Sequence, residues 1–184
     1  MTGTTDGNLR ETTTNSEHVF EGNLISVRVD DVTLPDGRES AREIVEHRGA
    51  VAAVALDSEG NVLLVRQWRH PAGEVLLEIP AGTREEGEEP EATLRRELVE
   101  EIGHRAGTIE LLAEVYTAPG YSTELIGLYL ATELEAADGE ADEDENIEVV
   151  RVPLREALRM CRDGELTDSK TVAALLLAGV RLAG

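Results

Sequence analysis

The chain has 184 residues, of which 41% are hydrophobic and only 3% aromatic, and it carries a formal net charge of −21. Such a length suits one domain of ordinary size with a core filled by aliphatic side chains, and the acidity argues against binding to nucleic-acid backbones or anionic membranes. No apolar run reaches the ~20 residues of a membrane span, no signal peptide is apparent, and the single cysteine, Cys161, excludes an internal disulfide framework, so a soluble cytoplasmic protein is expected.

Residues 1–17 are polar and aperiodic, and a frayed tail is expected there. From Val19 alternation sets in. Leu24-Ile25-Ser26-Val27-Arg28-Val29 and Val32-Thr33-Leu34 lead to the turn Pro35-Asp36-Gly37, and Arg42–His47 resumes as a strand. This predicts a small antiparallel sheet or hairpin over residues 18–48, ahead of a larger region over residues 49–184. Val51–Leu56 and Val62–Gln67 flank the turn Ser58-Glu59-Gly60-Asn61, and the short strand Val75–Ile79 runs into Pro80-Ala81-Gly82. Pro90 opens a helix as proline does in a first turn, and Gly103 closes it. Strands follow near Ile109–Thr117 and Glu124–Thr132, then an acidic loop over residues 133–146 and a strand at Ile147–Val152. Leu154–Asp163 and Asp168–Leu182 read as helices, the second with Asp168 as its N-cap. The mixture predicts an α/β fold: a mixed sheet with helices on its faces.

The residues that carry chemistry are concentrated on the helix after Pro90. At roughly 100° per residue, Glu101 falls about 40° and Glu100 about 60° from Glu97, while Leu94, Leu98, Val99 and Ile102 share the adjoining arc. One side of the helix is thus set to face the core and the neighbouring side presents three carboxylates. Like charges on adjacent turns repel, and a cluster of oxygen ligands suits a hard divalent cation. For a bare Glu-x-x-Glu-Glu a solvated charged face is the commoner explanation. The wider spacing decides between them: Gly82, then Glu88, then Arg96-Glu97-Leu98-Val99-Glu100-Glu101-Ile102-Gly103.

This segment resembles the Nudix box, G-x5-E-x7-R-E-U-x-E-E-x-G-U, where U is a bulky aliphatic residue. Gly82, Glu88, Arg96, Glu97, Glu100, Glu101 and Gly103 occupy every fixed position, and only His104 departs, at the final U. The resemblance implies a Nudix α/β/α sandwich and hydrolysis of a nucleoside diphosphate linked to another moiety. It implies Mg²⁺, with Mn²⁺ as an alternative, bound by Glu97, Glu101 and the carbonyl of Ala81. Glu100 then supports them and Arg96 orients the carboxylates, while Glu88 pairs with Arg96 or reaches a metal through water.

Beyond the box, Arg66-Gln67-Trp68-Arg69-His70-Pro71, Leu77-Glu78-Ile79-Pro80-Ala81-Gly82 and Ala118-Pro119-Gly120-Tyr121 are similar to the ADP-ribose pyrophosphatase branch. So is the acidic stretch around residues 140–149, where the resemblance puts the general base at Glu143 and a further metal-shell carboxylate at Glu145; the two could exchange parts. Arg69 is the expected diphosphate contact, since a guanidinium grips phosphate oxygens bidentately, and Arg66 is either structural or a second contact. A proline at the offset of Pro119 is the branch's marker, with Ala118 here in place of the usual serine, and the resemblance implies substrate contacts at Pro119 and Gly120. The branch is dimeric through its N-terminal sheet with adenine nearby, so a homodimer is expected, with Arg42, Glu43 and Phe20 as adenine-side candidates. Trp68 is expected in the core. Asp168-Ser169-Lys170-Thr171 resembles the start of the branch's last helix, which capping alone explains.

The implied reaction is ADP-ribose to AMP and ribose 5-phosphate. Another nucleotide sugar or a dinucleotide is the first alternative. A non-catalytic ADP-ribose-sensing module is a second, against which stands the full set of box carboxylates. The four histidines lack zinc-ligand spacing, and no glycine-rich phosphate loop is present.

Overall fold

A strand at the centre of a sheet has both faces covered, and Ala50–Leu56 is built for that place: its six buried residues, Ala50-Val51-Ala52-Ala53-Val54-Ala55, are all small and apolar. In the computed structural model, which describes residues 9–138 and 146–184, the chain divides into two compact units. One comprises the residues up to Arg48 with Ala118–Glu124. The other comprises Gly49–Thr117 with Leu125–Gly184.

The first unit is a three-stranded antiparallel sheet of β1 (Thr12–Glu21), β2 (Ile25–Thr33) and β3 (Glu39–His47), in that order. Gly37, at φ 86°, makes the turn between β2 and β3, where Leu34 and Arg38 close a backbone hydrogen bond of 2.8 Å. β1 begins at Thr12, well inside the stretch expected as a tail. All ten of its residues are exposed, so hydrophobic alternation has nothing to report, and the strand is held by backbone pairing to β2. Segment 118–124 docks on β3 by its backbone: Val45 N donates to Tyr121 O at 2.7 Å and Thr123 N to Val45 O at 3.0 Å. That association by space is invisible to a boundary drawn in chain order.

The second unit is the mixed-sheet sandwich. Its sheet runs β10 (Ile147–Pro153), β5 (Asn61–Arg69), β4 (Ala50–Leu56), β9 (Leu125–Ala136), β8 (His104–Tyr116), with β4 and β9 parallel. The period of two splits β4 between two cores. Ala50, Ala52 and Val54 join Leu64, Leu128 and Leu130 under α2 (Leu154–Asp163) and α3 (Ser169–Ala183), through Ala157, Ala174, Leu175 and Ala178. Val51, Ala53 and Ala55 join Leu63, Val65 and Tyr129 under α1 (Pro90–Ile102), through Leu94, Leu98 and Ile102. Helices on both faces give the α/β/α layering.

The hairpin of β4 and β5 stays paired only at Ala55–Leu63 and Leu56–Val62. Beyond that it splays. β6 (Glu74–Glu78) pairs with β5, and the three-residue β7 (Ala81–Thr83) pairs with β4, joined by Ile79-Pro80. This wedge carries Ala81 and Gly82 to the helix α1 side of the sheet. Trp68 is 56% exposed, against expectation, because it lies in the outer part of β5 opposite Val75, itself exposed. Among the described residues no helix is long and apolar enough to cross a membrane.

Candidate active site

Helix α1 begins with Pro90 at its first position and ends on Gly103, whose φ of 64° is left-handed and whose N–H bonds Val99 O at 3.0 Å. Between these stops the apolar residues fix its rotation. With Leu94, Leu98 and Ile102 in the core, Glu97 and Glu101 come to lie at its margin, only 8% and 6% exposed. Burying two carboxylates one helical turn apart is unfavourable without compensation by hydrogen bonds and cations.

Two compensations are present. The Ala81 N–H donates to Glu101 Oε2 at 2.9 Å. Arg96 stands among three further contacts: Nη1 donates to Glu97 Oε1 and to Glu100 Oε2, each at 2.8 Å, and Nη2 lies 3.5 Å from Glu88 Oε2. Burial alone would lower the Arg96 pKa, but Glu97, Glu100 and Glu88 outweigh it and raise it. Glu88 in turn is held below the ordinary carboxylate range by hydrogen bonds from the Thr93 side chain and the Glu85 N–H, and by Arg96. One guanidinium thus serves three carboxylates, and the neighbourhood stays anionic.

Gly82 is required by space, not by backbone angle. A Cβ built there would fall inside the Glu97 carboxylate, overlapping its Oε1, Cδ and Cγ. The departure at His104 is accommodated locally, since its Nδ1 lies 2.6 Å from the Ile102 carbonyl and therefore carries the proton.

The donor set fits a hard divalent cation: buried carboxylates on one helix face, pressed against a peptide segment that a side chain would block, with fewer cations than anions. Among the described residues no three acidic, His or Cys side chains are already drawn into a cage; Arg96 and the Ala81 N–H bond to the carboxylate oxygens.

The structure thus gathers Ala81, Glu88, Arg96, Glu97, Glu100 and Glu101 in one cluster. Arg69 is the last residue of β5, not a residue beyond it. It makes a bidentate pair with Glu78, Nε to Oε1 and Nη2 to Oε2, both 2.8 Å, and also feels the charges of Glu101 and Asp168. Arg66 pairs with Glu148 across β5–β10 at 2.7 Å on the surface. Arg42, Glu43, Pro119 and Gly120 belong to the other unit, where Arg42 bonds Glu11, Ser40 and Ala41 O, and Ala118 O accepts from Tyr121 N and Ser122 N beside Pro119 and Gly120. Glu143 and Glu145 lie outside the described residues.

Sequence reasoning missed Glu78, 1% exposed and ion-paired to both Arg69 and Lys170. Its signal was a carboxylate inside the apolar run Val75-Leu76-Leu77-Glu78-Ile79, which demands a buried cationic partner.

The NUDIX domain matches residues 46–175. The chain belongs to the Nudix family. Ahead of that match, residues 11–45 fit the nucleoside diphosphate sugar hydrolase N-terminal domain. This Nudix protein is 44% identical to the ADP-ribose pyrophosphatase of Bacillus subtilis (strain 168), with 91% of each chain covered. It is 42% identical to the methanol dehydrogenase activator of Bacillus methanolicus over 90% of each. Among solved structures it resembles an ADP compounds hydrolase, with a TM-score of 0.84, 26% identity and 95% of each chain covered.

Proposed function

We propose that this Nudix hydrolase cleaves the diphosphate of ADP-ribose to AMP and ribose 5-phosphate, with Mg²⁺ as its ion and Mn²⁺ as a substitute. The observation that carries the reading is the seating of Glu97 and Glu101 on the 81–82 peptide, with Arg96 shared among their neighbours. The 44% identity to an ADP-ribose pyrophosphatase over 91% of both chains supports the choice of substrate.

In this reading Glu97, Glu101 and the Ala81 carbonyl hold the ion, and Glu100 and Arg96 keep the carboxylates oriented. A divalent ion there would offset the charge of the diphosphate and activate water for attack. Arg69 grips the diphosphate, and Glu88 steadies Arg96. By the same resemblance, Glu143 takes the proton from the attacking water and Glu145 joins the metal shell. Arg42 and Glu43 serve recognition of adenine, and Pro119 and Gly120 contact the substrate. Residues 18–48 serve homodimerisation, a role supported by an edge strand, β1, exposed along its whole length with Val19 and Phe20 more than half exposed. Residues 49–184 carry the hydrolysis.

The test is ADP-ribose with Mg²⁺ and separation of products, alongside other nucleoside diphosphate sugars and Glu143→Gln. Equal AMP and ribose 5-phosphate are expected, with Glu143→Gln slowed by about 10² or more. Turnover of another nucleotide sugar and none of ADP-ribose would overturn the substrate; turnover of neither would overturn the reaction. Light scattering on the purified protein reads the dimer.

A further inference from the structure

The most deeply buried carboxylate among the described residues is Glu78, at the end of β6, and it lies outside the Nudix box. Two cations meet it. Arg69 reaches it from the end of β5 through Nε and Nη2, and Lys170 reaches Oε2 from the first turn of α3. Lys170 is the only lysine in the chain, and its side chain is 13% exposed. It lies 3.0 Å from Asp168 Oδ2 as well.

The geometry of the Arg69 pair is specific. A guanidinium has five N–H donors on two usable edges. Glu78 takes one donor from Nε and one from Nη2, which leaves three of the five on the Nη1–Nη2 end. The side chain of Arg69 is 39% exposed, whereas that of the Glu78 it pairs with is 1% exposed. An arginine held in this way has lost most of its rotamer freedom before substrate arrives, and the ordering cost of binding falls accordingly.

Charge is the difficulty in such an arrangement. An Arg69–Glu78 pair alone sums to zero and would give up the attraction for a diphosphate. Lys170 supplies a second positive charge on the same carboxylate. Its other neighbour, Asp168, whose charge Arg69 also feels, accepts from Thr171 N at 2.9 Å and Thr171 Oγ1 at 2.5 Å at the helix N-terminus, so without Lys170 the two carboxylates would outweigh Arg69.

We propose that Glu78 and Lys170 are positioning residues for substrate binding: Glu78 fixes Arg69 by its Nε–Nη2 edge so that the far edge is presented to the diphosphate, and Lys170 keeps the assembly from cancelling the charge of Arg69. This rests on the reading of Arg69 as the diphosphate contact. Neither residue touches substrate, and both act through Arg69.

The experiment is a double-mutant cycle on steady-state kinetics with ADP-ribose and Mg²⁺. Arg69→Ala is expected to raise KM by about tenfold or more. Lys170→Met and Glu78→Gln are expected to raise KM severalfold, with the Mg²⁺ concentration for half-maximal rate unchanged. In the Arg69→Ala background neither adds a further increase, and Lys170→Arg restores most of the wild-type value. Melting curves accompany each variant; if Glu78→Gln fails to fold, Lys170→Met carries the test. A staple with a purely structural role gives additive effects in the cycle and lower stability without a KM change, and that result overturns the proposal while leaving Arg69 as the diphosphate contact. An unchanged KM in Arg69→Ala removes the contact itself, and the proposal with it.

Discussion

Gly82 and Glu97 occupy the same space: the position a side chain would take at residue 82 is filled by the Glu97 carboxylate. Because the clash falls on the end of a flexible side chain, Gly82→Ala is relieved by swinging Glu97 aside and not by moving the sheet. Two consequences separate. Melting should shift by only a few degrees, on the order of 1 kcal/mol, whereas hydrolysis should fall by about 10² or more because a metal-holding carboxylate has been displaced. Parallel measurements of melting temperature and kcat check this. A variant with wild-type turnover would remove Glu97 from the metal set.

The buried carboxylates themselves make an opposite pair of expectations. Chelation should abolish hydrolysis and added Mg²⁺ restore it. In Glu97→Gln and Glu101→Gln the restoration should fail, with losses of about 10² to 10⁴. Without metal, however, neither variant should be less stable than wild type by more than about 1 kcal/mol, since each removes one of several crowded negative charges. Glutamine at 101 still offers an oxygen to the Ala81 N–H, so the anchoring bond survives. Thermal melting with and without Mg²⁺ reads both effects, and the added stabilisation by Mg²⁺ should be largest in the wild type.

The box was legible because its chemistry needs residue types at fixed spacing along one turn-loop-helix segment. Pro90 and Gly103 set the helix bounds, and Leu94, Leu98 and Ile102 set its rotation, which together put Glu97 and Glu101 at the margin of the core. The Glu78 cluster was not legible for the converse reason. Its partners are 9 and 92 positions away, and nothing local to Glu78 names them. β7 has three residues, too few for a period, and is held by pairing with β4. β1 is exposed throughout, so its polar sequence resembles a tail. Trp68 shows the limit of composition: in a chain with few aromatics, its place in β5 still leaves it 56% exposed.

Thr171 links α3 to the wedge that carries Ala81 and Gly82. Fully buried, its Oγ1 accepts the Ile79 N–H at 2.9 Å and donates to Asp168 Oδ2. Thr171→Val keeps the shape and leaves a buried N–H without its partner, at a cost of about 1–3 kcal/mol. Thr171→Ser should recover most of it. Urea denaturation of the two variants checks this, and equal midpoints for Val and wild type would show that Ile79 finds another acceptor.

Acid should expose the ion pairs of Glu78. Burial pushes its pKa up, but the hydrogen bond from Arg69 and the charge of Lys170 push it further down, so the folded value lies below the ordinary 4.5. For a carboxylate with a depressed folded pKa, the stabilisation is complete above the unfolded pKa and is lost as pH falls through the folded one. Stability from Glu78 is therefore full at pH 7, begins to fall below about pH 4.5 and is gone once pH has passed through the lower folded value. Glu78→Gln mimics the protonated acid and leaves two cations without their anion. At pH 7 it should be less stable by about 3 kcal/mol, the lower end for a broken buried pair, because Arg69 remains partly exposed. As pH falls below about 4.5 the wild type loses the same contribution, and the gap should narrow. Urea midpoints of both proteins from pH 7 to pH 3.5 measure the gap; a constant difference across that range would mean that Glu78 has the same pKa folded and unfolded and that its partners, Arg69 and Lys170, stabilise the fold by packing alone.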